Sequence, residues 1–140
     1  MTRGDLIAFL RNHKLCVQSS LHASGAPQAA VVGYAVSDDL EVVFDTVTTS
    51  RKYQNLTRDP RCSIVVWSEA ITVQLEGIAD EPTADDLDRL RTCYFGAYPD
   101  GRERLRDWPT LTYVRVRPRW ARYSDFATNT IVELDAGQLA

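Results

Sequence analysis

The stretch from Leu40 to Trp67 constrains the fold most. Leu40-Glu41-Val42-Val43-Phe44-Asp45-Thr46 alternates in side-chain direction, with Leu40, Val42 and Phe44 sharing one face. Arg61-Cys62-Ser63-Ile64-Val65-Val66-Trp67 does the same, which sends Cys62 inward with Ile64 and Val66. Between them lies Ser50-Arg51-Lys52-Tyr53-Gln54-Asn55-Leu56, a helix over about residues 49–58 that Asp59-Pro60 stops. A strand therefore hands over to a short helix, which hands over to a strand.

The rest of the chain follows the same grammar. Asp5 to His13 reads as an amphipathic helix, with Leu6, Ile7, Phe9 and Leu10 on its apolar side. Leu15 to Ala23 is a strand, and Ser24-Gly25-Ala26-Pro27 a tight turn. Gln28 to Val36 is a second strand, rich in small residues. Ile71 to Asp80 is a fifth. Thr83-Ala84-Asp85-Asp86 has the form of a capping box and starts a helix to about Tyr94. A short helix over Gly101 to Asp107 follows, then a strand from Leu111 to Arg117 that continues past Pro118 as an edge strand, Trp120 to Ser124. The expected fold is mainly β with peripheral helices, a six-stranded antiparallel split barrel. Residues 1–126 form its one domain, and 127–140 a tail that adds a late strand or docks on a partner.

Composition narrows the function. The formal charge of −3 argues against nucleic-acid or anionic-membrane partners. No stretch is long and apolar enough to span a bilayer, and the N-terminus lacks the pattern of a signal peptide, so a cytoplasmic location is expected. Cys16, Cys62 and Cys93 are far apart and form no Cys-x-x-Cys pair, and His13 and His22 lack ligand spacing, so no metal site is expected. No nucleophile–base pair demands hydrolysis.

Residues 50–61 run against the acidic trend, with Arg51, Lys52, Arg58 and Arg61 against Asp59 alone. Unpaired N–H groups at a helix start attract anions, and two cationic side chains there suit a phosphate. The competing reading is an ordinary solvated helix surface.

The order of these pieces resembles the pyridoxamine 5′-phosphate oxidase-like flavin-binding split barrels. The resemblance rests on Ser50-Arg51-Lys52 with Asn55-Leu56 and Asp59-Pro60 behind it, on the Gly-x-Pro turn, and on the Glu76-Gly77 strand. It spans residues 5–125. It implies that Arg51 and Lys52 hold the phosphate of flavin mononucleotide (FMN), with Ser50 and Thr46 as hydroxyl partners. It implies that the second strand, at Gln28, Ala29, Ala30 and Val31, bonds the ring edge through its backbone. A homodimer is implied too, because the family binds flavin between subunits. Trp67, Gln74, Trp120 and Arg122 are the candidate walls, although both tryptophans also suit plain packing.

The chain also departs from that family. Its second strand lacks the Arg and Lys of the true oxidases, and its C-terminus lacks their Arg-Leu-x-Pro element. The expectation is a generic member that transfers hydride to or from an unidentified small-molecule substrate. Three alternatives stand beside it: a flavin-sensing or stress protein without robust turnover, a reductase using a deazaflavin coenzyme, and a cofactor-free scaffold.

Overall fold

A computed structural model describes residues 1–140. Five helices and eight strands follow one another. In order they are α1 (Arg3–Arg11), β1 (Leu15–Leu21), β2 (Pro27–Gly33), β3 (Ala35–Val36), β4 (Val42–Val47), α2 (Arg51–Arg58), β5 (Arg61–Ser68) and β6 (Ile71–Asp80). Then come α3 (Ala84–Ala97), α4 (Gly101–Asp107), β7 (Leu111–Asp125), β8 (Thr130–Leu134) and α5 (Ala136–Leu139).

The strands form one antiparallel sheet in the order β2-β1-β5-β6-β7-β4-β3, with β8 added to β7. Because β2 and β3 are one strand interrupted at Tyr34, the sheet returns to the strand on which it began. The ring thus has the six expected members, and β8 lies outside it. Tyr34 turns inward at the break, where its hydroxyl donates to the Leu10 carbonyl at 2.6 Å.

The alternation seen in the sequence fills the barrel. Cys16, Ile64, Val66, Val73, Leu75, Phe44, Val114 and Val116 are all buried in its interior. Burial pushes the thiols of Cys16 and Cys62 up to about 12, which marks them as core residues. Helix α1 adds Leu6, Ile7 and Leu10 at the end of the barrel near β3. Helix α2 closes the other end with Asn55 and Leu56. Helix α3 lies outside, where Leu90 and Tyr94 cover Val43 and Tyr113.

Two expectations are corrected, and of the two alternatives for the tail the late strand is the one that forms. The capping box at Thr83 does not form, since Thr83 makes no side-chain cap bond. Asp86, its would-be partner, binds Arg89 at 3.1 Å and Arg115 at 3.2 Å instead. Leu111 to Asp125 is one strand paired on both sides, so 120–124 is no edge. Pro118 is accommodated beside a register shift in β6, where no ladder bond is required of it. Residues 127–140 join the barrel through β8, with Leu134 and Leu139 buried in the chain's own core.

Candidate functional site

The barrel is split along one seam. β2 pairs only with β1, and β3 pairs only with β4, at Ala35–Val43 and Val36–Val42. Past Tyr34 the strand swings off β4. Along Pro27–Gly33 the edge of β2 has no ladder partner. It nonetheless stays close enough to β4 for Cα atoms to come within 8 Å. In an antiparallel strand alternate residues direct N–H and C=O groups toward each neighbour, so β2 presents open donors and acceptors to the seam.

Helix α2 begins at the end of this seam. Ser50 is its N-cap and accepts from the Tyr53 N–H at 3.2 Å. The Ser50 hydroxyl lies 2.8 Å from that of Thr46, the buried residue near the end of β4. The N–H groups of Arg51 and Lys52 open the helix and have no carbonyl behind them. Their side chains are equally free. Of the 16 Lys and Arg residues, only Arg51, Lys52 and Arg119 make no hydrogen bond, ion pair or aromatic contact within the chain. Arg58 donates to the Leu21 carbonyl at 2.5 Å, and Arg61 is paired with Asp59 at 2.6 Å.

The neighbouring carboxylates are also spoken for. Arg104 pairs with Asp45 at 2.9 Å and donates to the Tyr94 hydroxyl at 3.1 Å. Arg11 pairs with Asp38 at 2.6 Å. The Arg61 guanidinium beside Asp59 holds that carboxyl down at about 2. The positive charge at α2's first turn is therefore left to Arg51 and Lys52.

The helix is braced against β2. Asn55 is 2% exposed, and its amide donates to Gln28 Oε1 at 2.9 Å and to Ser20 Oγ at 3.1 Å. Gln28 and Ala30 point inward, whereas Ala29 and Val31 are exposed on the outer face. Gly33 lies under the ring of Tyr98, where an added Cβ would stand 2.6 Å from the ring. Sequence reasoning assigned no role to Asn55, Tyr98 or Arg104. Asn55 was visible within the loop motif, but the pairings of Arg104 and Tyr98 had no local signal.

The proposed walls are not gathered at the seam by one chain. The outer-face register runs Val31, Val17, Val65, Gln74, Arg122 across β2, β1, β5, β6 and β7. At about 4.8 Å per strand, Gln74 lies roughly 14 Å and Arg122 roughly 19 Å from β2 along the sheet. Arg122 approaches Glu133 at 3.5 Å. Trp67 is 48% exposed on β5, and Trp120 lines a separate cleft with Arg119.

Residues 4–125 match the family model described as pyridoxamine 5′-phosphate oxidase. The chain belongs to the pyridoxamine 5′-phosphate oxidase family. A pyridoxine/pyridoxamine 5′-phosphate oxidase of Bordetella avium is 32% identical over 92 residues, covering 64% of this chain and 41% of that protein. The chain thus spans less than half the length of this relative. Among solved structures, a heme-binding protein from Mycobacterium smegmatis superposes with a TM-score of 0.86 at 20% identity, covering 98% of this chain and 59% of that one. The heme storage protein HutZ from Vibrio cholerae superposes with a TM-score of 0.68 at 14% identity, covering 84% and 91%. These two likenesses carry the split-barrel fold. No helix of this family member is long and apolar enough to cross a membrane.

Proposed function

We propose that this chain binds FMN at the seam and acts, as a homodimer, as an oxidoreductase on a small molecule. The observation that carries the reading is the pair of free cations, Arg51 and Lys52, at the N-terminus of α2 beside the open edge of β2. Arg51, Lys52 and the first N–H groups of α2 would hold the cofactor phosphate, with the hydroxyls of Ser50 and Thr46 beside them. The backbone of Gln28, Ala29, Ala30 and Val31 would orient the ring along the β2 edge. Bound there, FMN supplies hydride transfer, while the protein supplies placement and charge.

A second copy completes the site. Leu15, Val31, Trp67 and Ile131 are all at least 48% exposed, and all lie on the same outer face of the sheet. Burying this face in a twofold dimer would bring Trp67, Gln74 and Arg122 of one chain toward β2 of the other. Val114 and Val116, on the same sheet, are 3% and 1% exposed in the chain's own core and add nothing to this face.

Two competing cofactors suit the same residues less well. A deazaflavin coenzyme with a long anionic tail needs a basic track leading outward, and Arg58 and Arg61, which could begin one, are already engaged. A histidine-ligated heme needs an imidazole at the site. His13 contacts the Phe9 carbonyl through Nδ1 at 2.8 Å, and His22 sits in the exposed β1–β2 turn with Ser24. Neither is on β2, β4 or the start of α2.

The test is titration of the apo-protein with FMN, a deazaflavin coenzyme and hemin in parallel, followed by reduction with a nicotinamide nucleotide. Tightest binding of FMN, with reduction and reoxidation by an acceptor, is the expected result. Tighter binding of either competitor overturns the cofactor assignment. FMN binding without turnover moves the protein to the sensing class.

A further inference from the structure

The register of the sheet shifts between Glu76 and Gly77 of β6. Glu76 pairs with Trp120 and Gly77 with Pro118, so Arg119 is an extra residue of β7 without a cross-strand partner. Such a bulge re-aims side chains that strict alternation sends to opposite faces. Arg119 and Trp120, adjacent in sequence, accordingly line the same cleft. Gly77 makes the close approach possible, since a Cβ there would stand 2.5 Å from the Arg117 carbonyl oxygen.

The cleft has a volume of about 410 Å³, within the range of small-molecule sites. Ser19 and Ser63, cross-strand partners on β1 and β5, contribute hydroxyls to it. The half-buried ring of Trp120 contributes a flat apolar surface. Arg119 is the one free cation outside α2. Glu76 likewise makes no hydrogen bond or ion pair, so a cation and a carboxylate stand unpaired in one small cleft. The cleft lies on the same outer face as Val65 and Gln74, two residues further along each strand, at the end of that face about 13 Å from Trp67.

We propose that this cleft is a second binding site, separate from the seam, for a flat aromatic monocarboxylate. The ring stacks on Trp120. Arg119 takes the carboxylate in a two-pronged hydrogen bond. Ser19 and Ser63 bond polar ring substituents. Glu76 repels any ligand carrying a second anionic group and accepts from a ring hydroxyl or N–H. This site stands whether or not the seam holds flavin.

The test uses 2-naphthoate as probe and the neutral 2-naphthamide as control, on the full chain as purified. The readout is the indole N–H resonance of Trp120, assigned by its loss in Trp120→Phe. Saturable shifts at Trp120 that spare Trp67 and Trp108 are expected. Arg119→Ala should weaken 2-naphthoate by at least about tenfold while leaving 2-naphthamide unchanged. Arg119 is exposed, so an unaltered Tm confirms that this variant is folded. No saturable shift at Trp120, or equal 2-naphthoate affinity in Arg119→Ala, overturns the proposal.

Discussion

The buried amide of Asn55 donates to Gln28 Oε1 at 2.9 Å and so ties the helix that carries Arg51 and Lys52 to the strand that borders the seam. The same amide reaches Ser20 on β1. Two halves of the candidate site, distant in sequence, are held in one geometry by a single side chain. Asn55→Ala should therefore cost about 1–3 kcal/mol, because the buried Ser20 oxygen and the half-buried Gln28 oxygen lose their donor. It should also weaken FMN binding, since α2 loses its brace. Urea denaturation together with FMN titration checks both; unchanged stability would show that the brace carries no weight.

Arg51 and Lys52 make the opposite prediction. Neither side chain makes a hydrogen bond or ion pair within the chain, so replacing both by Ala should alter stability by no more than about 0.5 kcal/mol. Each charge-assisted phosphate contact is worth about 1.5–3 kcal/mol, so FMN affinity should fall by well over tenfold. A double variant with wild-type affinity, measured by fluorescence quenching of free FMN, would remove the phosphate assignment.

Glu41 sets an acid limit on stability. Arg89 at 2.7 Å, Ser37 and Arg115 at 3.0 Å hydrogen-bond its carboxylate and hold its pKa down at about 2, against an ordinary 4.5. A depressed carboxyl pKa means that the folded state favours the charged form. The contribution is therefore complete above about pH 4.5 and is lost as pH falls toward 2. Asp80 and Asp86, held low by Arg115 and Arg89, act in the same direction. Thermal melts from pH 7 to pH 2 should show Tm falling across this window. Glu41→Gln should lower Tm at pH 7 and flatten the decline; a slope equal to that of the wild type would assign acid sensitivity elsewhere.

Gly77→Ala should destabilise the barrel by about 1–3 kcal/mol, because the new methyl meets backbone rather than a movable side chain. Gly96→Ala meets nothing within 4 Å and serves as the control in the same melting experiment.

The outer face predicts assembly. Light scattering at micromolar concentration should report a dimer, consistent with an interface above about 2,000 Å² in total. Trp67→Glu places a charge on that face and should yield monomers that bind FMN more weakly. A wild-type monomer in the presence of FMN would count against the dimer and against the shared site.

The alternation in β4, β5 and β6, the turn at Gly25, the stop at Asp59-Pro60 and the loop Ser50-Arg51-Lys52 were all legible in the sequence. These features depend on neighbours within a few residues, where side-chain period, capping and proline sterics act. What lay beyond reach required partners far along the chain. The barrel closes because β3 returns to β4 while β2 stays on β1, a choice made at Tyr34 by its buried bond to Leu10. Asp86 serves no cap because Arg89, one turn on, and Arg115, twenty-nine residues on, offer charge-assisted bonds instead. Pro118 looked like the end of a paired strand, and only the bulge opposite Gly77 let pairing continue. Short-range sterics and periodicity determined the strands, the helices and the Ser50-Arg51-Lys52 helix start; long-range pairing, through ion pairs, a buried amide and one shifted register, decided which of their side chains meet.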